Sequence, residues 1–546
     1  MATTTLTGTT GNDILNAPGS VTALVAGNAG DDTITLSLAS DEAQGGAGGD
    51  SITLAGVATV LNTVEGGAGS DTIFVNTASS TIGGSLGLND GADLFNNTSV
   101  QMVSATVGGN AGADTITLLA GVLNSEVGGG INNDDLNFSA GTVTNATING
   151  GHGADTLSLN GGTQSLTSVQ GGAGHDVILA SGASLSTGLV GGGKGYDSIV
   201  IGTQTTVTVS GGAGNDTITL ATGANGFGGG IIYGDGLGVT AAGSAAGDDL
   251  IGSTAAAFGT AGATTIYGAG GSDTISFLSG TTATTFIVDG GDGADVIGGT
   301  AASLGFSASS LIGGAGADTI SLLNAATAGG SVILGGDGAD SITLVTGQAL
   351  QGTSINGGAG ADTIRMVTNL GAAAGLLTNM ATINGGAGAD VVIFDTQSAA
   401  IRVATATMSN ITGLGALYQG MVAYESGDKV VLNNSALSTT GANWAGAGGQ
   451  IMVISTVTAL GTTGSFSNNS QASVAVYADT SNTYFFISSV AGIETAAFGF
   501  VVNSDLVTTT AVGLVNATTS NFNFTVDANS GTAGTASSHG VAITFV

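Results

Sequence analysis

The chain has 546 residues, 100 of them glycine, with one proline, no cysteine and 4 basic against 37 acidic residues, for a net charge of −33. Without cysteine there are neither disulfides nor thiolate metal sites, and so large an acidic excess leaves nothing to neutralise phosphates, which excludes a nucleic-acid partner. No stretch reaches the roughly 18 uninterrupted apolar residues of a membrane helix, so no membrane span is expected, and Met1 to Thr10 has neither the basic region nor the apolar run of a classical secretory signal.

In chain order the first element is Gly8-Thr9-Thr10-Gly11-Asn12-Asp13-Ile14-Leu15, a degenerate turn expected to cap the N-terminal edge of a repeat array. From Gly27 onward come seventeen versions of Gly-Gly-x-Gly-x-Asp before an apolar strand, as in Gly150-Gly151-His152-Gly153-Ala154-Asp155-Thr156-Leu157. The turn aspartates are Asp32, Asp50, Asp71, Asp93, Asp114, Asp134, Asp155, Asp176, Asp197, Asp216, Asp249, Asp273, Asp295, Asp318, Asp340, Asp362 and Asp390, mostly 19 to 23 residues apart. A fixed period of this size means a solenoid.

Two residues after each aspartate stands an apolar side chain, from Ile34 and Ile52 through to Ile364 and Val392, often flanked by threonine. That is the period-two alternation of a short, half-buried strand. A second apolar mark two residues before the first glycine, at Val25, Val64, Val107, Val127, Ile148 and their counterparts, predicts a strand entering the turn. One coil is therefore a glycine turn, a strand, a looser turn such as Ala55-Gly56-Val57-Ala58, and a return strand. Stacking the coils makes two parallel sheets face to face with Ile and Val between them.

Aspartate locked to one position of a repeated turn argues for bound cations, and with no cysteine only hard oxygen ligands are present in quantity. A tight turn whose carbonyls converge on an ion needs positive φ, which glycine adopts cheaply. Candidate ligand glycines, at first and fourth positions of complete turns, include Gly150 and Gly153, Gly171 and Gly174, Gly313 and Gly316, Gly335 and Gly338, Gly357 and Gly360, and Gly385 and Gly388. Departures from the pattern are informative. Leu88-Asn89-Asp90-Gly91-Ala92-Asp93 lacks the first glycine pair, and Gly129-Gly130-Ile131-Asn132-Asn133-Asp134 has Asn at the fourth position.

Between Asp216 and Asp249 the spacing stretches, and residues 221–247 read as an insertion looping out of one coil. His152 and His175 read as exposed turn residues rather than a transition-metal pair, and Gly83-Gly84-Ser85-Leu86-Gly87 as a chance match to a hydrolase elbow without the strand-to-helix setting. After about Asp395 the repeat stops. Val474 to Asp479 and Thr483 to Ile487 then read as a hairpin. The expected organisation is a solenoid of about 17 to 18 coils over residues 1–395 and a β-rich module over 396–546.

The nonapeptide Gly-Gly-x-Gly-x-Asp-x-apolar-x resembles the calcium-binding repeat of the repeats-in-toxin (RTX) family over about two thirds of the chain. The resemblance implies a β-roll with Ca2+ as cofactor, about one ion per adjacent pair of turns, each turn aspartate bridging ions above and below it and the turn glycines lending carbonyls. Family members usually carry the motif on both sides of a coil; here it comes once per coil, which implies one calcium-lined edge and one metal-free edge. Glu425-Ser426-Gly427-Asp428-Lys429-Val430-Val431-Leu432 resembles a segment following such repeats in secreted members, and Asn521 to Val546 has the composition of an uncleaved signal for type I secretion machinery. With no catalytic constellation and no effector domain before the repeats, the chain looks most like a non-enzymatic bacterial surface-layer protein on the extracellular cell surface. Its implied partners are other copies of itself in a lattice and a cell-surface glycan or lipopolysaccharide. The alternative is a secreted calcium-dependent adhesin that forms no lattice; the third reading is an enzyme in the tail, where His539 is the only histidine.

Overall fold

A computed structural model shows an all-β chain, with no helix among the described residues. It describes residues 3–396 except for short segments (39, 56–60, 77–80, 139–140, 166–167, 183, 203, 222–226, 237–245, 254–263, 278–281, 300–303, 328–329, 347–352 and 369–380), and beyond 396 it describes Asp428 and strand segments between Tyr418 and Phe545. The expectations for the looser turn at 56–58, much of the insertion, Tyr424 to Gly427, Trp444, His539 and most of the stretch before Gly540 lie outside the described residues. The chain divides into two compact units, Met1–Thr274 and Ile275–Val546.

In the first unit each coil has an entry strand leading into the glycine turn and an exit strand leaving it. Entry strands such as Glu126–Ile131, Thr147–His152, Ser168–Ala173 and Gly188–Lys194 stack in parallel, with Val127, Ile148, Val169 and Val190 in register. Exit strands stack likewise, so that Ile116, Leu136, Leu157, Ile178, Ile199 and Ile218 form a continuous column. Every residue of that column is fully buried, as is its counterpart in the entry sheet. Burial of each such side chain stabilises by about 1.5–3 kcal/mol, and its β-branched or γ-branched shape suits a pleated surface. The threonines on either side face outward, half-exposed.

Part of the expected insertion is not a bulge. Phe227–Asp235 is an entry strand paired with Gln204–Ala213 on one side and Thr264–Gly270 on the other, aligning Val209, Ile232 and Ile266. The apolar alternation Gly230-Ile231-Ile232-Tyr233 is strand-like, and Ile232 is buried in the core. The extra length therefore lies outside this strand. Asp235 closes it: one carboxylate oxygen accepts the Gly247 N–H at 3.1 Å and the other the Gly270 N–H at 3.0 Å.

In the second unit Val288, Leu311, Ile333, Ile355 and Ile383 align in the entry sheet, and Ile297, Ile320, Ile342, Ile364 and Val392 in the exit sheet. The repeat pattern fades near residue 395, but the pairing carries on. Tyr418–Ala423 lies parallel to Ala381–Ala387, and Lys429–Asn434 parallel to Val391–Thr396, building a further coil. Beyond it the chain turns antiparallel. Ser473–Ala478 pairs with Thr483–Ser488 as the alternation predicts, Thr483–Ser488 pairs with Phe498–Val502, and Gly540–Phe545 pairs with both Phe522–Asp527 and Lys429–Asn434.

Candidate metal centre

The glycine turns bring the seventeen aspartates to one edge of their coils, and all of them are buried, at 2 % exposure or less. Within each unit the carboxylates reach one coil back. Asp155 Oδ1 accepts the Asp134 N–H at 2.8 Å, Asp176 Oδ1 that of Asp155 at 2.8 Å, and Asp197 Oδ1 that of Asp176 at 2.8 Å. In the first unit this ladder runs from Asp13 to Asp273; in the second it runs from Asp295 to Asp428, which accepts the Asp390 N–H at 3.1 Å.

The other carboxylate oxygen has a different environment. In Asp32, Asp50, Asp71, Asp93, Asp114, Asp134, Asp155, Asp176, Asp197, Asp216, Asp249, Asp318, Asp340 and Asp362, Oδ2 is buried and no donor reaches it. Except at Asp93, where Leu88 takes the first position, it lies against the Cα of the first glycine in its own turn, where the first-position carbonyl of the next coil also arrives. A Cβ on Gly171 would strike both Asp176 Oδ2 and the Gly192 carbonyl, and one on Gly313 both Asp318 Oδ2 and the Gly335 carbonyl. Two acceptors converging in a buried place repel each other unless a donor or cation lies between them.

Glycine is required at two further positions. Gly151 and Gly153 have φ of +116° and +130°, and a Cβ on either would run into the Gly130 or Asn132 carbonyl of the preceding coil. The turns thus stack backbone to backbone, carbonyl above carbonyl. Gly150, Gly153, Gly171, Gly174, Gly313, Gly316, Gly335, Gly338, Gly357, Gly360, Gly385 and Gly388 all sit in such turns. Asparagine stands in where glycine is missing: Asn89 has φ +77° at a second position and Asn132 φ +80° at a fourth, since its short polar side chain tolerates the left-handed region. The Asp134 turn therefore keeps the common geometry. At the Asp93 turn Leu88 replaces the first glycine, while Asp93 Oδ1 still accepts the Asp71 N–H at 2.7 Å.

Burial pushes these carboxyls above their ordinary value of 3.8, to about 6 at Asp50, Asp71, Asp93 and Asp318, about 7 at Asp134, Asp176 and Asp216, and about 9 at Asp249. The backbone N–H of the neighbouring coil opposes the shift at each, and adjacent aspartates add to it. A divalent cation would reverse the balance by favouring the charged form. Among the described residues no group of three or more His, Asp or Glu side chains is placed to hold a metal, so an ion here draws on backbone carbonyls beside the carboxylates. That donor set, all oxygen with no nitrogen or sulfur, fits Ca2+.

His152 and His175 are exposed. His175 Nδ1 accepts the Tyr196 N–H at 2.8 Å and its ring lies 4.9 Å from that of Tyr196. Gly83 to Gly87 fall inside the strand Thr81–Asp90. Three site residues carry no repeat signature of their own: Thr9, which donates to Asp13 Oδ2; Asp235; and Asp428, whose only sequence mark is a Gly-Asp pair before an apolar strand.

No helix among the described residues is long and apolar enough to cross a membrane. Comparison with curated proteins gives no match. The family model described as RTX calcium-binding nonapeptide repeat (4 copies) matches residues 24–55, 62–78, 192–227, 257–281, 305–323, 354–365 and 382–397. Those matches and the parallel coils stacked through glycine turns support one assignment, the RTX β-roll family, whose nonapeptide repeats bind calcium.

Proposed function

We propose that this chain is a calcium-folded extracellular structural protein of the surface-layer type, exported by type I machinery and assembling with copies of itself at a cell surface bearing glycan or lipopolysaccharide. The observation that carries the calcium part is the set of buried Oδ2 atoms, such as those of Asp155, Asp176, Asp197 and Asp318, that face the next coil's carbonyl with no donor. In this reading the row from Asp32 to Asp390 supplies carboxylates and the turn glycines supply carbonyls, with about one Ca2+ between adjacent turns. Ions occupy the glycine edge alone. On the opposite edge the capping side chains have their oxygens met by backbone donors: Gln164 Oε1 accepts the Val143 N–H at 2.9 Å, Ser125 Oγ the Ala105 N–H at 3.0 Å, and Asp41 takes the Ala23 N–H on Oδ1 and those of Ser37 and Leu38 on Oδ2.

A non-enzymatic role is supported by how the polar chemistry is spent: the buried carboxylates are spread along a row rather than gathered around a pocket. The self-assembly part rests on composition and on the outward β faces, and negative-stain microscopy with and without Ca2+ tests it. Ordered sheets or tubes in calcium are expected. If the calcium-loaded chain stays dispersed at every calcium level, the adhesin reading replaces the surface-layer one.

A further inference from the structure

The coil containing Asp13 differs from the others at its aspartate. Thr7 pairs with Ala26, so Gly8, Thr9 and Gly11 stand at the first, second and fourth turn positions and Asp13 at the aspartate position. Asp13 takes its place in the ladder, its N–H donating to Asp32 Oδ1 at 2.7 Å. Its own Oδ2, however, accepts the Thr9 N–H at 2.5 Å and the Thr9 hydroxyl at 2.8 Å. The carbonyl of Gly8 is also engaged, accepting the Asn28 side-chain amide at 2.7 Å.

Thr9 is the cause. Second positions elsewhere hold left-handed residues such as Gly46, Gly67 and Gly172, with φ of +116°, +121° and +120°. Thr9 does not adopt positive φ, and neither does Gly11, whose N–H donates to the Thr9 hydroxyl at 3.2 Å. The turn is therefore folded inward on the carboxylate. A β-branched residue is costly in the left-handed region, so this arrangement follows from the residue itself.

We infer that the Gly8 to Asp13 turn holds no cation and that the calcium row starts at the Asp32 coil. Two donors from Thr9 occupy the carboxylate oxygen that an ion would share with the Gly27 carbonyl, and a hydrogen-bonded turn replaces a metal-bound one. This inference rests on the calcium reading of the row. Thr9 is the residue that decides the site, because Thr9→Gly completes the Gly-Gly-x-Gly-x-Asp pattern and frees Asp13 Oδ2.

The test is anomalous scattering from crystals of the full chain with Tb3+ in place of Ca2+. The wild type should show peaks along the row from Asp32 and none beside Asp13; Thr9→Gly should gain a peak there, and Thr9→Ser, which keeps the donors, should gain none. A wild-type peak beside Asp13 comparable to that at Asp32 overturns the inference, and so does a Thr9→Gly chain whose Asp13 stays bare. If Thr9→Gly does not fold, the wild-type map alone decides. Peaks nowhere along the row would instead overturn the calcium reading itself, which keeps the two failures distinguishable.

Discussion

Each row aspartate has two oxygens with two tasks. At Asp176 Oδ1 fixes the coil behind by accepting the Asp155 N–H, and Oδ2, which no donor reaches, is the atom proposed to hold an ion. Replacing Asp176 with Ala removes both, so the ions on either side should be lost while distant coils keep theirs, because coupling in a solenoid is between nearest neighbours. Hydrogen-exchange mass spectrometry in Ca2+ should show lost protection around residues 150–200 and unchanged protection near Asp340; uniform loss along the chain would contradict the nearest-neighbour account. Protons compete for the same oxygens. Between the ordinary 3.8 and about 7, folded Asp134, Asp176 and Asp216 hold protons that the unfolded chain has released. Stability of the metal-free fold must then fall as pH rises through that window, with the penalty complete above it. In chelator, β-structure read by circular dichroism should be greater at pH 5 than at pH 8, and the reverse order would contradict the account.

At the scale of the coil, stacking is limited by the turn backbone and driven by the apolar columns. Gly174, with φ +148°, has the Gly153 carbonyl where a Cβ would be. Gly174→Ala should therefore destabilise, by more than the ~1 kcal/mol that a Gly→Ala change can gain where the backbone tolerates it; an unchanged melting temperature in Ca2+ would refute this. Ile199→Ala opens a cavity in the exit column and should cost about 2–5 kcal/mol, read as a lower unfolding midpoint at fixed calcium with calcium still bound at the neighbouring turns. The columns and the turn edge are legible in the sequence because they recur: Ile34, Ile116 and Ile199 are marked by the same offset from an aspartate, and repetition exposes a rule that one copy would hide. Features that occur once are not legible. Phe227–Asp235 reads in sequence as part of an insertion because its turn is interrupted before the aspartate arrives, so that the offset to Asp249 is lost. The coil ending in Asp428 is hidden for a related reason, since Gly427-Asp428 lacks the preceding glycine pair and only its pairing with Val391–Thr396 reveals it. Thr9 is visible as a departure from the motif, but its hydrogen bonds to Asp13 depend on a backbone conformation that spacing does not encode.

For the whole molecule, a net charge of −33 with aspartates stacked coil upon coil opposes compaction, and ordering 100 glycines is entropically costly. Apolar columns alone must work against both, and calcium removes the first. Assembly faces the same repulsion between copies, so light scattering should detect ordered multimers only at calcium levels above the folding midpoint; coincident midpoints would mean that ions within the coils suffice. Whether calcium folds this chain is decided by a calcium titration of the full chain from excess chelator at pH 8, monitored by far-ultraviolet circular dichroism. A coil spectrum in chelator should convert to β-structure as Ca2+ is added and return to coil when chelator is restored, whereas a full β spectrum in excess chelator would mean that the chain folds without calcium.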